Sequence, residues 1–153
     1  MTETRMSDRD AICETKARYC RTLDTQDWAG YADVFTEDLV LDTTPAGGYV
    51  VEGRDKAVAL VMSSLEGART AHHVHSPEIR LEGEAAEVIW AMQDRVVWSP
   101  EKARRMGNLG HTGFGHYHER YVRCPDGRWR IARQTLTRLH TDVHSGSPDE
   151  PPG

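Results

Sequence analysis

The sequence predicts an α+β domain: helices come first, and a long curved sheet, mixed or antiparallel, follows and is covered by them on one face. Three observations predict it. Up to about residue 66, apolar residues recur mainly at helical spacing. From residue 70 onward they switch to period two or to long β-rich runs. The turn sequences Gly83-Glu84 and Pro125-Asp126-Gly127 divide that second half into long segments. A curved sheet closed by helices leaves a cavity at its open end, where a ligand belongs.

Ser7 or Asp8 caps a first helix running to about Leu23, with Ile12, Tyr19 and Leu23 near one face. Asp27 caps a short second helix holding Trp28, Tyr31, Val34 and Phe35. A strand at Leu39-Val40-Leu41 turns through Pro45-Ala46-Gly47-Gly48 into Tyr49-Val50-Val51. Ala57, Val58, Val61, Met62 and Leu65 give a third helix over 54–66. Strands are expected at 71–81, 85–98, 111–123 and 128–141, with the basic stretch from Ser99 to Gly110 as a mobile loop. One domain thus spans 7–141, and residues 142–153, ending in the low-complexity run SGSPDEPPG, form a disordered tail, as do the first six residues.

A chain of 153 residues can bury a sizeable core without staples. Its 24 acidic against 19 basic residues, a formal charge of −5, argue against nucleic acid or an anionic membrane as partner. No apolar run approaches the roughly 20 residues of a bilayer span, and no signal-peptide core is evident. Cys13, Cys20 and Cys124 have no framework spacing; the first two are about 10 Å apart along a helix, too far to bridge. A reduced, cytoplasmic setting follows as the expectation.

Four groups of residues can carry chemistry. In Asp24-Thr25-Gln26-Asp27 one acid caps the next helix, and Asp24 is left as a loop acid or as an orienting acid at a pocket. His72, His73 and His75 suit a metal in number, yet strand alternation puts His72 with Val74 and His73 with His75, so structural, catalytic and metal-binding readings stay open. Gly110-x5-His116-x-His118 fits the opening of a metal-binding cupin motif, but Val122 and Arg123 stand where its glutamate belongs. The protein is therefore expected to hold no metal, and His116 to face the interior beside Phe114. Finally, Trp90, Met92, Asp94, Val96 and Trp98 share a strand face, an apolar wall with one carboxylate. Asp94 is either a buried acid of raised pKa or the ion-pair partner of an arginine such as Arg138.

Tyr19-x4-Asp24-x2-Asp27-Trp28, Phe35-Thr36-Glu37-Asp38, Gly53-Arg54, Thr70-x-His72 and the turn from Asp126 to Ile131 come in an order with a counterpart. Over residues 8–141 it resembles the SnoaL-like branch of the nuclear transport factor 2 superfamily, whose fold is a cone-shaped α+β barrel. Within the branch it is most similar to scytalone dehydratase and bile acid 7α-dehydratase. The resemblance implies an Asp24–His72 dyad, a catalytic Tyr19 and Asp94, and an arginine, Arg138 or Arg133, at the site. It also implies a cofactor-independent lyase, a dehydratase of a hydrophobic, ring-containing hydroxy-carbonyl compound of steroid or polyketide type. His72 would be the base, Tyr19, helped by His116, the donor to the enolate oxygen, and Trp90, Met92, Trp98 and Phe114 the apolar wall. The alternatives are an isomerase of ketosteroid-isomerase type, a polyketide cyclase, or a non-catalytic binder of small ligands. Trp98 and Leu23 replace a histidine and a tyrosine of scytalone dehydratase, so its substrate is not implied. Both dehydratases are trimers, so a homo-oligomer, trimer before dimer, is expected, with Arg95, Val97, Tyr117 and Tyr121 on the outer sheet surface.

Overall fold

The first helix, α1 (Asp8–Asp24), begins where the Ser7 hydroxyl accepts the Asp10 N–H at 3.1 Å. The structure, a computed structural model, describes residues 6–150; the disorder expected at 1–5 and 151–153 lies outside the described residues. Ile12, Tyr19 and Leu23 on one side of α1 are buried, and so, less predictably, is Lys16. Asp27 caps α2 (Trp28–Asp33) by accepting the Gly30 N–H. The second helix is shorter than its spacing predicts, because Ile131 donates its N–H to the Val34 carbonyl and draws the chain into β1 (Phe35–Asp42).

A 3-10 turn (Thr44–Ala46) leads to β2 (Val50–Glu52), and α3 (Arg54–Leu65) follows. The long strands are β3 (Arg69–Glu82), β4 (Ala85–Val97), β5 (Gly110–Arg123) and β6 (Trp129–His144). They form one six-stranded sheet in the order β2-β1-β6-β5-β4-β3. Among the described residues only the β1–β6 pairing is parallel, so the sheet is mixed, and it curves without closing. A β-bulge between His75 and Glu78, with Ser76 at φ 49°, bends β3. Among the described residues no helix is long and apolar enough to cross a membrane.

Three expectations fail. The stretch after β4 is not a loop: α4 (Pro100–Met106) starts at a Ser99 cap with Pro100 in its first turn, and Gly107 ends it at φ 71°. Lys102 ties it down, donating to the Ser64 carbonyl with its ammonium 4.2 Å over the Trp98 ring. β6 runs to His144, whose Nε2 lies 2.9 Å from the Thr112 hydroxyl, and Asp149 beyond it pairs with Arg104 of α4.

The third correction concerns β5, whose parity is the reverse of the one expected. Tyr117 and Tyr121, placed outside by the sequence, are buried, while Phe114 is 44% exposed and His116 and His118 point away from the core. Glu119 decides this. It must share a face with Tyr117 and Tyr121 to meet buried Lys16, and a strand that is one residue out of phase turns every side chain over. Trp90 and Met92 also go deeper than the wall expected of them, into the core between α1 and the concave sheet face.

Candidate active site

Asp24 ends α1, and the turn after it is held in place by Gln26. At φ 56° the Gln26 backbone is left-handed, and its side-chain amide donates to the carbonyls of Leu65 and Ala68, tying the end of α1 to the start of β3. The Asp24 carboxylate thereby meets three donors from β3. Oδ1 accepts the Thr70 hydroxyl at 2.8 Å and lies 2.7 Å from His72 Nδ1; Oδ2 accepts the His72 backbone N–H at 2.9 Å. Burial acts to raise the Asp24 pKa, but the bonds from His72 and Thr70 outweigh it and hold the carboxyl below the ordinary range. A carboxylate only accepts, so Nδ1 carries a proton, and in the neutral ring Nε2 is the nitrogen that keeps its lone pair. His73 and His75 lie on the exposed side of β3.

Across the β3–β4 ladder His72 pairs with Asp94. Asp94 is an ion-pair partner: Arg138 donates through Nη1 to Oδ1 at 2.8 Å and through Nη2 to Oδ2 at 2.6 Å. With both oxygens accepting from a guanidinium, Asp94 is a carboxylate and no proton donor. Arg133 turns instead towards Asp42, 3.8 Å away. Arg138 reaches Asp94 by crossing β5 at Gly113, where a methyl group would collide with its Nη1 and stand 3.1 Å from Asp94 Oδ1. Exchanging Gly113 for alanine is therefore expected to break the two-bonded pair and cost about 1–3 kcal/mol, the range for stranding buried polar partners. His116→Ala on the outer face of β5 should stay within about 0.5 kcal/mol. Urea unfolding of both variants measures the contrast, and equal stabilities would refute this account of Gly113.

These groups open into a cavity of about 210 Å³. Its apolar lining includes Leu23, Leu41, Val61, Leu65, Val96 and Leu136, its floor carries Tyr19, Tyr31 and Tyr117, and Trp98 and His111 lie towards α4. His111, which the sequence reading passed over, stands 4.0 Å from Asp94 Oδ2 and edge-on to Trp98. Burial pushes its pKa down, with Asp94 opposing. Of the residues proposed from sequence, Tyr19, His72, Asp94, Trp98 and Arg138 line this one cavity, and Asp24 stands behind His72. Trp90 and Met92 belong to the core, and Phe114 and His116 to the outer face. Gln26, Tyr31, His111, Tyr117 and Gln134 were missed; the inward glycines 113 and 115, read as part of a histidine motif, mark where β5 makes room. A larger hollow of about 540 Å³, bordered by Arg80, Glu87, His118 and Arg120, does not include the dyad.

The SnoaL-like domain family matches residues 4–135. Among solved structures the chain is similar to the Kfla4162 protein of Kribbella flavida, with 22% identity, 88% of this chain and 93% of that one covered, and a TM-score of 0.79. It is similar to a candidate scytalone dehydratase of Novosphingobium aromaticivorans, at 21% identity, 95% of both chains and a TM-score of 0.73. It is likewise similar to the hexachlorocyclohexane dehydrochlorinase LinA type 2, at 17% identity, 95% of this chain, 94% of that one and a TM-score of 0.73. Likeness at these identities concerns the fold.

Proposed function

The chain belongs to the SnoaL-like domain family, and we propose that it is a lyase which removes water from an uncharged, ring-containing β-hydroxy-ketone without a cofactor. The observation that carries this reading is the Asp24–His72 contact, which makes Nε2 the basic nitrogen of the neutral His72 ring, a ring that lines the cavity. Two similar structures bear the names of eliminating enzymes, a dehydratase and a dehydrochlorinase, which supports the same class.

Nε2 takes the proton next to the carbonyl, and the C–H electron pair moves onto the carbonyl oxygen as an enolate. Asp24 stabilises the imidazolium that results. The enolate then collapses, the C–O bond to the β-hydroxyl breaks, and the leaving oxygen takes the proton back from Nε2 to depart as water. Asp94 is bound through both oxygens to Arg138 and does not supply the proton; in this reading His72 serves both steps, so proton and hydroxyl leave from one face of the substrate. Among the described residues Arg138 is the one arginine or lysine lining the cavity, and Asp94 occupies it, so the lining offers no unpaired arginine or lysine to a substrate with a fixed anionic group. An apolar cavity of about 150 Å³ takes one benzene ring. At about 210 Å³ this cavity suits one ring or two, the small end of the steroid- and polyketide-like range.

The test is incubation with one- and two-ring β-hydroxy-ketones followed by mass spectrometry. Loss of one water per substrate is the expected result. A rearranged product of unchanged mass would make the protein an isomerase, and tight binding without turnover across the series would make it a binder.

A further inference from the structure

Beneath the cavity floor lies an ion pair that the proposed chemistry does not use. Lys16 is wholly buried, and its ammonium donates to Glu119 Oε2 at 2.8 Å. Gln134 Nε2 donates to that same oxygen, and the Tyr121 hydroxyl donates to Oε1 at 2.9 Å. The Trp90 indole N–H in turn donates to the Tyr121 oxygen at 3.2 Å. A fully buried pair of this kind is seldom better for stability than apolar side chains of equal volume. Its position points to another role, since three of its neighbours, Tyr19, Tyr117 and Gln134, form part of the cavity lining.

The polarity of the network is fixed throughout. Glu119 accepts only, so the Gln134 amide must turn its nitrogen towards Glu119 and its oxygen away. That oxygen faces the Tyr19 hydroxyl at 3.2 Å and can only accept, so the Tyr19 proton is committed to Gln134. The role of oxyanion donor, given to Tyr19 from sequence, is thus closed to it while Gln134 is held this way. Tyr117, which also lines the cavity, differs in that among the described residues no carboxylate, amide or backbone oxygen takes its hydroxyl proton. The Lys16 ammonium lies over both rings, 3.6 Å from the centre of Tyr19 and 3.9 Å from that of Tyr117, and holds the two phenols side by side. Burial pushes the pKa of all three phenols up; Glu119 adds to this at Tyr19 and Tyr31, whereas at Tyr117 a hydrogen bond with Tyr19 opposes it and Asp94, paired with Arg138, adds to it.

We infer that the Lys16–Glu119–Gln134 unit positions the phenols of the cavity floor so that Tyr117, not Tyr19, donates to an oxyanion in the cavity. In this account Tyr117 is the residue that touches the ligand, and Lys16, Glu119 and Gln134 are positioning residues. The inference rests on the cavity proposed above as the active site, and it deepens the enolate step without depending on turnover.

Two single-ring probes of similar shape test it: para-nitrophenolate, a stable oxyanion whose absorbance reports its environment, and nitrobenzene, which lacks the oxygen. Wild type should bind the phenolate more tightly than nitrobenzene. Tyr117→Phe should weaken the phenolate about tenfold or more, the size of a hydrogen bond to a charged group, and leave nitrobenzene little changed. Lys16→Met/Glu119→Gln, which removes both charges and strands neither, should do the same, whereas Tyr19→Phe should have the smaller effect. The reverse ranking of the two tyrosine variants overturns the inference. So does an unchanged preference in the double variant, or a wild type that favours nitrobenzene. His72→Gln serves to separate this from the lyase reading: it removes the proposed base, and the probe preference should survive in it.

Discussion

Replacing His72 by alanine is expected to slow turnover at least about a hundredfold, the low end for loss of a general base. The same change at His73, one residue on and on the exposed face of β3, should cost little. Asp24→Asn is expected to be as damaging or worse. Three donors converge on the Asp24 carboxylate, and an asparagine amide can replace only one of its oxygens as an acceptor. With its nitrogen at the Oδ2 position it opposes the His72 backbone N–H. With the nitrogen at Oδ1 it faces Nδ1, which must then become the acceptor, and the proton moves to Nε2. Either the loop opens or the base is lost. The corresponding exchange behind the histidine of a serine protease costs on the order of ten-thousandfold. Steady-state rates of the three variants, on whichever hydroxy-ketone loses water, measure the effect. A dead His73→Ala beside an active His72→Ala would move the dyad to the other face of the strand.

The Asp24–His72 contact was legible because its determinants are local. Ser7 and Asp27 are helix caps by type and spacing, so Asp24 falls at a helix end, and alternation after Thr70 puts His72 and His73 on opposite faces. β5 was not legible in the same way. Alternation there offers two parities, one with Phe114, His116 and His118 inward and one with Tyr117, Glu119 and Tyr121 inward. The partner that decides between them, Lys16, lies 103 residues away in sequence. A lysine on the apolar side of α1 and a glutamate among tyrosines carry no local mark of the pair they form. Asp94 is a milder case: the strand face was evident, but its choice between acid and ion pair depended on Arg138 crossing at Gly113. Charges that find each other across the fold are invisible to periodicity.

The same ion pair yields the largest expected change in stability. Glu119→Ala should destabilise the protein by about 3–5 kcal/mol, the cost of leaving a buried charge without its partner. It strands not only the Lys16 ammonium but also the donors of Gln134 and Tyr121, so it belongs at the upper end of that range. Lys16→Met leaves Glu119 with those two donors and should lie nearer the lower end. The double variant Lys16→Met/Glu119→Gln keeps volume and strands no charge, so its loss should be far smaller than the sum of the single losses. Urea unfolding of wild type, Lys16→Met, Glu119→Gln and the double variant closes the cycle, and the coupling energy is read directly from it. Additive losses would mean that Lys16 and Glu119 do not act as a pair. A strongly coupled cycle has a further consequence, because a double variant that is nearly as stable as wild type separates folding from function. If that protein also loses its preference for para-nitrophenolate, the pair is kept for the direction it gives to the phenols above it.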